Sequence, residues 1–463
     1  MKIAGIFPLS GIEEPQKTIS LNEPLGLECV LAVAQKRGHQ VKVFRPKSCK
    51  EIDKIAEFNP QMALFSLVTS QYNLGKDLLN ELKKIKPALV SIAGGYHPSA
   101  KPDIVKEGFD FVVIGEGEKT FNALLEAIEE NRGDYSSING VSFLKDNNII
   151  ITKPRERILN FENVPHPYRE LDVLANQKER IYLNYPPTSK SRIAYAEFSR
   201  GCLFNCSFCC SPSVLGRTMA FRDPNEMISQ LKDLKNRFEI NYVFFTDLNI
   251  TLNKRRLTAL CDALIREDLG IYWSCMSGFS GIDKDLLNKM RDSGCTKIGW
   301  GLETISPANL EGKSSKLPSQ DKIKEILDYS AAIGILNESF LIIGFPNEKK
   351  KDLEELSEVL PQYNFHLIRP AIYTPLPGSL DYEIMKDEGK IIEDNWDNFD
   401  CMHLVFQHEF LNEQILQEAQ QKIIKKFYTS QNYKKRVSLF IEKYPSRRQS
   451  FDEFFSQNPK LVL

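Results

Sequence analysis

The sequence has no apolar run near the ~18 residues that a membrane span needs. Its opening, MKIAGIFPLSGIEEP, has too short an apolar stretch for a signal peptide, and Pro8 and two glutamates follow it. Neither sign of charge is in surplus. The 60 Lys and Arg stand against 61 Asp and Glu, so the composition gives no reason to expect nucleic acid as a partner. There is no low-complexity tract and no internal sequence repeat. These absences point to a cytoplasmic protein, and a reducing compartment argues against disulfides.

Cysteine is present and unevenly spread. Four of the ten cysteines fall in SRGCLFNCSFCCSP, residues 199–212. Cys202, Cys206 and Cys209 keep a Cys-x3-Cys-x2-Cys spacing, and Cys210 follows directly. The other six are scattered singly and read as small buried hydrophobes. The chain is long enough for two or three domains, and its 42% hydrophobic content can fill a large core.

The sequence predicts an α/β protein. Over residues 1–138, KIAGIF, VKVFRP, MALFSLVT, LVSIAGG and FDFVVIGEG alternate with amphipathic stretches. Buried β-branched runs between helices predict a doubly wound, Rossmann-like parallel sheet. Such sheets bind ligands at their strand carboxyl ends, here residues 8–24, 66–70, 94–98 and 115–118. Residues 139–191 read as a hairpin, VSFLKDNNIIITKP, followed by a proline-rich linker. From Arg192 to residue 388 six further strand–helix repeats fit a partial (β/α)6 TIM-type barrel. Residues 389–463 read as a helical region whose basic clusters, QQKIIKKF and NYKKR, are a solvated face or cap.

Three thiolates cannot complete a tetrahedral structural zinc site. Cys210 is a poor fourth ligand, because adjacent side chains diverge. Three thiolates do suit an iron–sulfur cluster with one iron left open. The loop follows RIAYAEFS, the first strand of the second repeat series, and catalytic loops of barrels sit at such strand ends.

A Cys-x3-Cys-x-aromatic-Cys motif at that place, with Phe208 as the aromatic residue, resembles the radical S-adenosylmethionine (SAM) superfamily. The resemblance implies a [4Fe-4S] cluster on Cys202, Cys206 and Cys209. Its open iron would bind SAM, and one electron would cleave SAM to methionine and a 5′-deoxyadenosyl radical. It implies SAM contacts from Asp247 and Asn249 in FFTDLN and from Glu303 in GWGLETIS. It also implies an adenine-side turn at Gly344, Phe345 and Pro346 in LIIGFPNE. TPLPGSLDYE, residues 374–383, resembles the last-strand motif of many members. The third strand departs from the pattern, offering Ser277 where many relatives carry Arg. Taken singly, Asp247 or Glu303 would be an ordinary solvated strand-end acid and Gly344 an ordinary turn. Their order along the chain is what joins them.

The first ~120 residues resemble the cobalamin-binding domain found ahead of many radical SAM barrels, through EPLGLECVLAVAQKRGHQVKVF, SLVTS, GGYHPS and DFVVIGEGEKTF. A flat corrin needs backbone that approaches closely, which glycine allows. Gly94, Gly95, Gly115, Glu116 and Gly117 suit that edge, and Ser66 and Thr69 offer hydroxyls. No histidine lies in the Asp-x-His-x-x-Gly motif that ligates cobalt in classical cobalamin proteins. His97 is the one histidine at the expected edge, as a cofactor contact or as loop packing.

The resemblance implies a cobalamin-dependent radical SAM methyltransferase. Its substrate would be a small molecule, lipid or peptide, and its electron donor a flavodoxin or ferredoxin. A non-methylating enzyme of the same architecture and a non-enzymatic iron–sulfur sensor are the alternatives. The sequence singles out no acid or base for catalysis.

Overall fold

The computed structural model describes residues 1–9, 23–162, 164–170, 183–311, 313 and 317–461. Most of the expected strand-end loop 8–24 and part of the 160–191 linker lie outside the described residues. The chain forms two compact units. One comprises Met1–Val173, Ser207–Ala220 and Pro375–Asp400; the other comprises Leu174–Cys206, Phe221–Thr374 and Cys401–Leu463. Two segments distant in sequence thus belong with the N-terminal unit. Among the described residues no helix is long and apolar enough to cross a membrane.

The first unit is built on a seven-stranded sheet. Its strands are β1 (Lys2–Ile6), β2 (Gln40–Phe44), β3 (Met62–Ser66), β4 (Val90–Gly94), β5 (Phe111–Val113), β6 (Val141–Lys145) and β7 (Asn148–Ile151). They lie in the order β2-β1-β3-β4-β5-β6-β7. The first five are parallel, and β6 and β7 join antiparallel. Alternate side chains feed two cores, as the strand period requires. Met62 and Leu64 pack with helices Leu25–Lys36 and Gly117–Glu129, while Ala63 and Phe65 pack with helix Tyr72–Ile85. The strand order reverses between β1 and β3. Open α/β sheets bind ligands at such a switch point. The expected hairpin is present and extends this same sheet. Its two turn residues, Asp146 and Asn147, have φ of 51° and 61°, as the tight turn demands.

Edge β2 is not left bare. The Val43 backbone N–H donates to Glu170 Oε1 at 2.8 Å, and Tyr168 Oη donates to the Val41 carbonyl at 3.2 Å. Between them, buried Arg169 pairs with Glu23 and Glu28. Part of the expected linker is therefore docked along the sheet, which blunts an edge open to mispairing.

In the second unit β8 (Ile193–Ala196), β11 (Tyr242–Phe245), β12 (Tyr272–Ser277), β13 (Cys295–Glu303), β14 (Leu336–Ile343) and β15 (Leu367–Ile372) form a parallel sheet in chain order. Two short strands, β9 (Ser199–Arg200) and β10 (Ala220–Phe221), flank the cysteine loop in sequence. Helices begin on side-chain caps: Asp223 for Pro224–Phe238, Asp283 for Lys284–Asp292 and Ser319 for Gln320–Ala332. Ile298, Trp300 and Leu302 of β13 face the helix-side core. Lys297, Gly299, Gly301 and Glu303 alternate with them and face the other way.

The C-terminal helices Glu413–Thr429, Gln431–Lys443 and Arg448–Gln457 enter this core through Leu416, Phe427, Tyr433, Phe440 and Phe451. They are more than a solvated cap. Tyr428 Oη accepts from the Ile368 N–H, and Gln420 Nε2 donates to the Pro370 carbonyl, so side chains complete the edge strand β15. Pro370, which has no N–H, sits where a strand tolerates proline. Arg436, from the basic cluster, is turned inward and donates to the Phe365 and Pro361 carbonyls.

Candidate functional site

The cysteine loop leaves β9 through Gly201, whose φ of 94° suits glycine. All four cysteines are half-buried thiols, and Leu203 between them points to solvent. Phe208 is half-buried beside Cys209. Among the described residues no three His, Cys, Asp or Glu side chains converge on one metal ion. A cubane cluster does not ask for convergence, since each thiolate ligates its own iron. The donor set, three thiols within eight residues, therefore fits such a cluster.

The strand preceding the loop is held by charge. Asp247 accepts from the backbone N–H of Phe198 at 3.0 Å, the N–H of Ser199 at 2.6 Å and the Ser199 hydroxyl. Burial pushes its pKa up to about 7, against the lowering effect of those bonds. Expected from sequence as a SAM contact, Asp247 is engaged in fixing the approach to Cys202. Arg222 donates to the Glu197 carbonyl at 3.0 Å and pairs with Glu226, while Arg200 pairs with Glu197 at 2.7 Å. Sequence reasoning passed over this network, and no motif announces it.

Further round the sheet, polar residues sit at successive strand ends. Thr251 Oγ1 donates to Asn249 Oδ1 at 3.0 Å and lies 2.6 Å from Ser277 Oγ. A Cβ on Gly278 would come within 2.9 Å of Asn249 Nδ2, so glycine there admits the amide. The expected Asn249 and Ser277 are thus joined through Thr251, which the sequence did not single out.

Glu303 ends β13 with φ of 58°, at a register shift against β14. Such backbone is costly for a non-glycine residue and is tolerated where the surroundings fix it. Its Oε1 would lie 2.9 Å from a Cβ on Gly301, so that glycine makes room for the carboxylate. Burial pushes its pKa up to about 7, and among the described residues no cation or donor opposes the shift. The side chain is half-buried at the strand end that the sequence assigns to a SAM contact.

At the end of β14, Gly344 has φ of 81°, and its N–H donates to Glu348 Oε2. Asn309 Nδ2 donates to Glu348 Oε1 at 2.9 Å, and burial pushes Glu348 up to about 7. The Phe345 ring is buried against Tyr373, and its carbonyl lies 2.8 Å from His408 Nε2. The turn through Pro346 is therefore rigid, and Glu348, four residues beyond Gly344, closes it.

In the first unit the expected edge residues divide. Gly95, with φ of 103°, would place a Cβ 2.8 Å from the Leu67 carbonyl, and Gly117 would place one 2.9 Å from Val30. Those glycines serve the protein's own packing. Gly94 differs: a Cβ there would meet nothing closer than 3.8 Å, so the protein itself does not require glycine. A cradle of this kind, next to half-buried Ser66, fits a flat ligand approaching the strand ends. The Gly115 N–H donates to Ser99 Oγ at 3.0 Å.

Glu116 is turned to the protein, accepting from Arg157 Nε at 2.7 Å and the Ile158 N–H at 2.9 Å. His97 is buried between Tyr72 and Trp396, with Nδ1 3.4 Å from Thr69 Oγ1. Burial pushes its pKa down to about 3, so the ring is neutral. Both residues were expected at the cofactor edge; the contacts seen for them are internal.

Residues 196–360 match the model of the radical SAM superfamily, and residues 20–125 match that of the B12 binding domain. The chain is 26% identical over 354 residues to the anaerobic magnesium-protoporphyrin IX monomethyl ester cyclase of Rubrivivax gelatinosus, covering 75% of this chain and 62% of that protein. It is 26% identical over 439 residues to an uncharacterized methyltransferase of Pyrococcus horikoshii, covering 93% of this chain and 92% of the relative. Two solved structures share the fold. The radical SAM methyltransferase TsrM of Kitasatospora setae, with cobalamin and a [4Fe-4S] cluster bound, has a TM-score of 0.69 at 15% identity over 84% of this chain and 75% of its own. The cobalamin-dependent SAM radical enzyme OxsB, with aqua-cobalamin and SAM bound, has a TM-score of 0.70 at 16% identity over 97% of this chain and 72% of its own. A [4Fe-4S] cluster and SAM go with the first of the two matched domains, and cobalamin with the second. The chain therefore carries a radical SAM domain, matched over the cysteine loop and strands β11 to β14, and a B12 binding domain, matched over β2 to β5.

Proposed function

We propose that this enzyme methylates an unactivated carbon of a small-molecule, lipid or peptide substrate. When bound, its cofactors supply a radical able to take a hydrogen atom from such a carbon and a methyl group to place there. The protein's part is to hold and orient them and to keep water out. Cys202, Cys206 and Cys209 hold three irons of the cluster and leave the fourth for SAM. Glu303 takes the SAM amino group, with Asn249 and Ser277 beside it. The turn at Gly344, Phe345 and Pro346 lies along the adenine. Ser66, Thr69, Gly94 and Gly115 border the corrin. Phe208 packs beside the cluster. An electron donor such as a flavodoxin or ferredoxin reduces it.

The observation that carries the reading is Glu303, a half-buried carboxylate that meets no cation among the described residues, at the strand end where an ammonium ligand is expected. The named methyltransferase relative, similar along nearly its whole length, supports methylation over other radical chemistry. The cyclase relative favours a second reading, radical oxidation without methyl transfer.

Anaerobic incubation of the reconstituted enzyme with SAM, cobalamin and a reductant decides between them. Methylation yields 5′-deoxyadenosine together with S-adenosylhomocysteine, as a second SAM restores the methyl group. Deoxyadenosine without S-adenosylhomocysteine, with substrate consumed, would sink methylation and leave the cyclase-type reading.

A further inference from the structure

We infer that Asp381 is a positioning residue for the cysteine loop, acting on it between the second and third ligand positions. The inference rests on the reading of Cys202, Cys206 and Cys209 as cluster ligands. Ser207 directly follows Cys206 and precedes Cys209 by two residues. Its carbonyl accepts the Asp381 backbone N–H at 3.0 Å, and its hydroxyl donates to Asp381 Oδ2 at 3.1 Å. Both residues are buried, 174 positions apart in sequence.

Asp381 lies in the first turn of helix Leu380–Asp387, whose cap is the Ser379 hydroxyl accepting from the Tyr382 N–H at 3.2 Å. The first N–H groups of a helix have no partner inside it. One of these donors is given to the cysteine loop. The preceding turn grips the same loop further on. Gly378, with φ of 88°, comes so close that a Cβ would lie 2.9 Å from Ser213 Oγ and 3.1 Å from Ala100 Cβ. Contacts at Ser207 and Ser213 therefore bracket Cys209 and Cys210.

The consequence is chemical as well as mechanical. Hydrogen bonds and charge near the cluster sulfurs set its potential and its exposure to solvent. The Ser207 hydroxyl, held by Asp381, is kept from turning toward the thiolates on either side. The carboxylate adds a negative charge near the loop, which disfavours reduction. Losing it raises the cluster's potential, and losing the clamp speeds loss of iron.

The test uses the full chain, reconstituted anaerobically with iron and sulfide. It compares the parent with Asp381→Ala, Asp381→Asn, Ser207→Ala and Asp381→Ala/Ser207→Ala. Measured are the electron paramagnetic resonance spectrum of the reduced cluster, its midpoint potential and the rate of iron loss to a chelator. Asp381→Ala and Ser207→Ala are expected to lose iron severalfold faster with altered spectra, and the double variant to be no worse than Asp381→Ala. Asp381→Asn keeps an acceptor for Ser207, so it should resist the chelator like the parent while its potential rises. If Asp381→Ala folds poorly, Ser207→Ala alone carries the comparison. Unchanged spectra, potential and iron loss in a variant that merely melts earlier would overturn the inference. A parent chain that takes up no cluster would instead overturn the ligand assignment beneath it.

Discussion

Ser199 gives both its backbone N–H and its hydroxyl to the carboxylate of Asp247, which also takes the N–H of Phe198. One acid at the end of β11 thereby fixes the end of the neighbouring strand path, three residues before Cys202. Asp247→Ala would leave two buried N–H groups and a hydroxyl without acceptors. Each such loss costs ~1–3 kcal/mol, so a destabilisation on the order of 3 kcal/mol is expected. The check is a denaturant melt alongside iron content after reconstitution. A variant with parental stability and full iron would show that the strand end holds itself.

Glu303 leads to a pH prediction whose sign follows from burial. Its pKa is raised to about 7, so the folded state keeps a proton that the unfolded state gives up near the ordinary carboxylate value. Where the folded state binds more protons, stability falls as pH rises. This contribution is therefore lost from about pH 4.5 upward and fully gone above about pH 7. Glu303→Gln removes it. The apo variant is expected to melt higher than the parent at about pH 8 and the same near pH 4, by up to roughly 2–3 kcal/mol. It should also bind SAM on the order of tenfold more weakly, since a carboxylate–ammonium pair is lost. Equal SAM affinity would remove Glu303 from the site.

Much of this was legible in the sequence, and the boundary is physical. Short continuous apolar runs and their spacing marked every long strand of both sheets, because burial on both faces leaves a strong local mark. The turn at Asp146 and Asn147 was readable because positive φ selects few residues. The place of Glu303 was readable only through family order, and its unusual backbone was not readable at all. For Asp247, sequence shows that an acid ends a strand, but not which N–H groups turn to it. The docking of Arg169 on Glu23 and Glu28, and of Arg436 on the Phe365 carbonyl, depends on tertiary approach. A buried arginine and a solvated one look alike in sequence.

The six-stranded sheet carries an ion cluster that the sequence reading missed. Lys297 on β13 lies 3.3 Å from Glu338 on β14, and Arg369 on β15 pairs with the same carboxylate. Burial alone would raise the pKa of Glu338, but Arg369 and then Lys297 outweigh it and bring it down to about 2. Its contribution to stability is present above the ordinary carboxylate pKa and is lost as pH falls toward about 2. Glu338→Gln would leave buried Lys297 and half-buried Arg369 without this carboxylate between them, and breaking such a group costs up to roughly 3–5 kcal/mol. The expected result is a lower melting temperature at neutral pH, with the gap to the parent closing in acid. An equally stable variant would mean that water already reaches the cluster.

Cys209 and Cys210 put the ligand assignment to its sharpest test. They are adjacent, both half-buried and both thiols, so exposure does not separate them. Spacing does: Cys206 to Cys209 is the x2 step of the three-ligand motif, which Cys210 does not fit. The Cys210 carbonyl also accepts from the Ser213 N–H at 3.1 Å and from the Ser213 hydroxyl, which turns residue 210 into the start of helix Pro212–Leu215. Cys210→Ala should reconstitute with the parent's iron content and reduced-cluster spectrum. Cys209→Ala should lose the cluster, as should Cys202→Ala and Cys206→Ala. The opposite pattern, with Cys210 essential and Cys209 dispensable, would move the third ligand by one residue. It would also shift the Ser207 clamp one step further from the thiolate it is proposed to position.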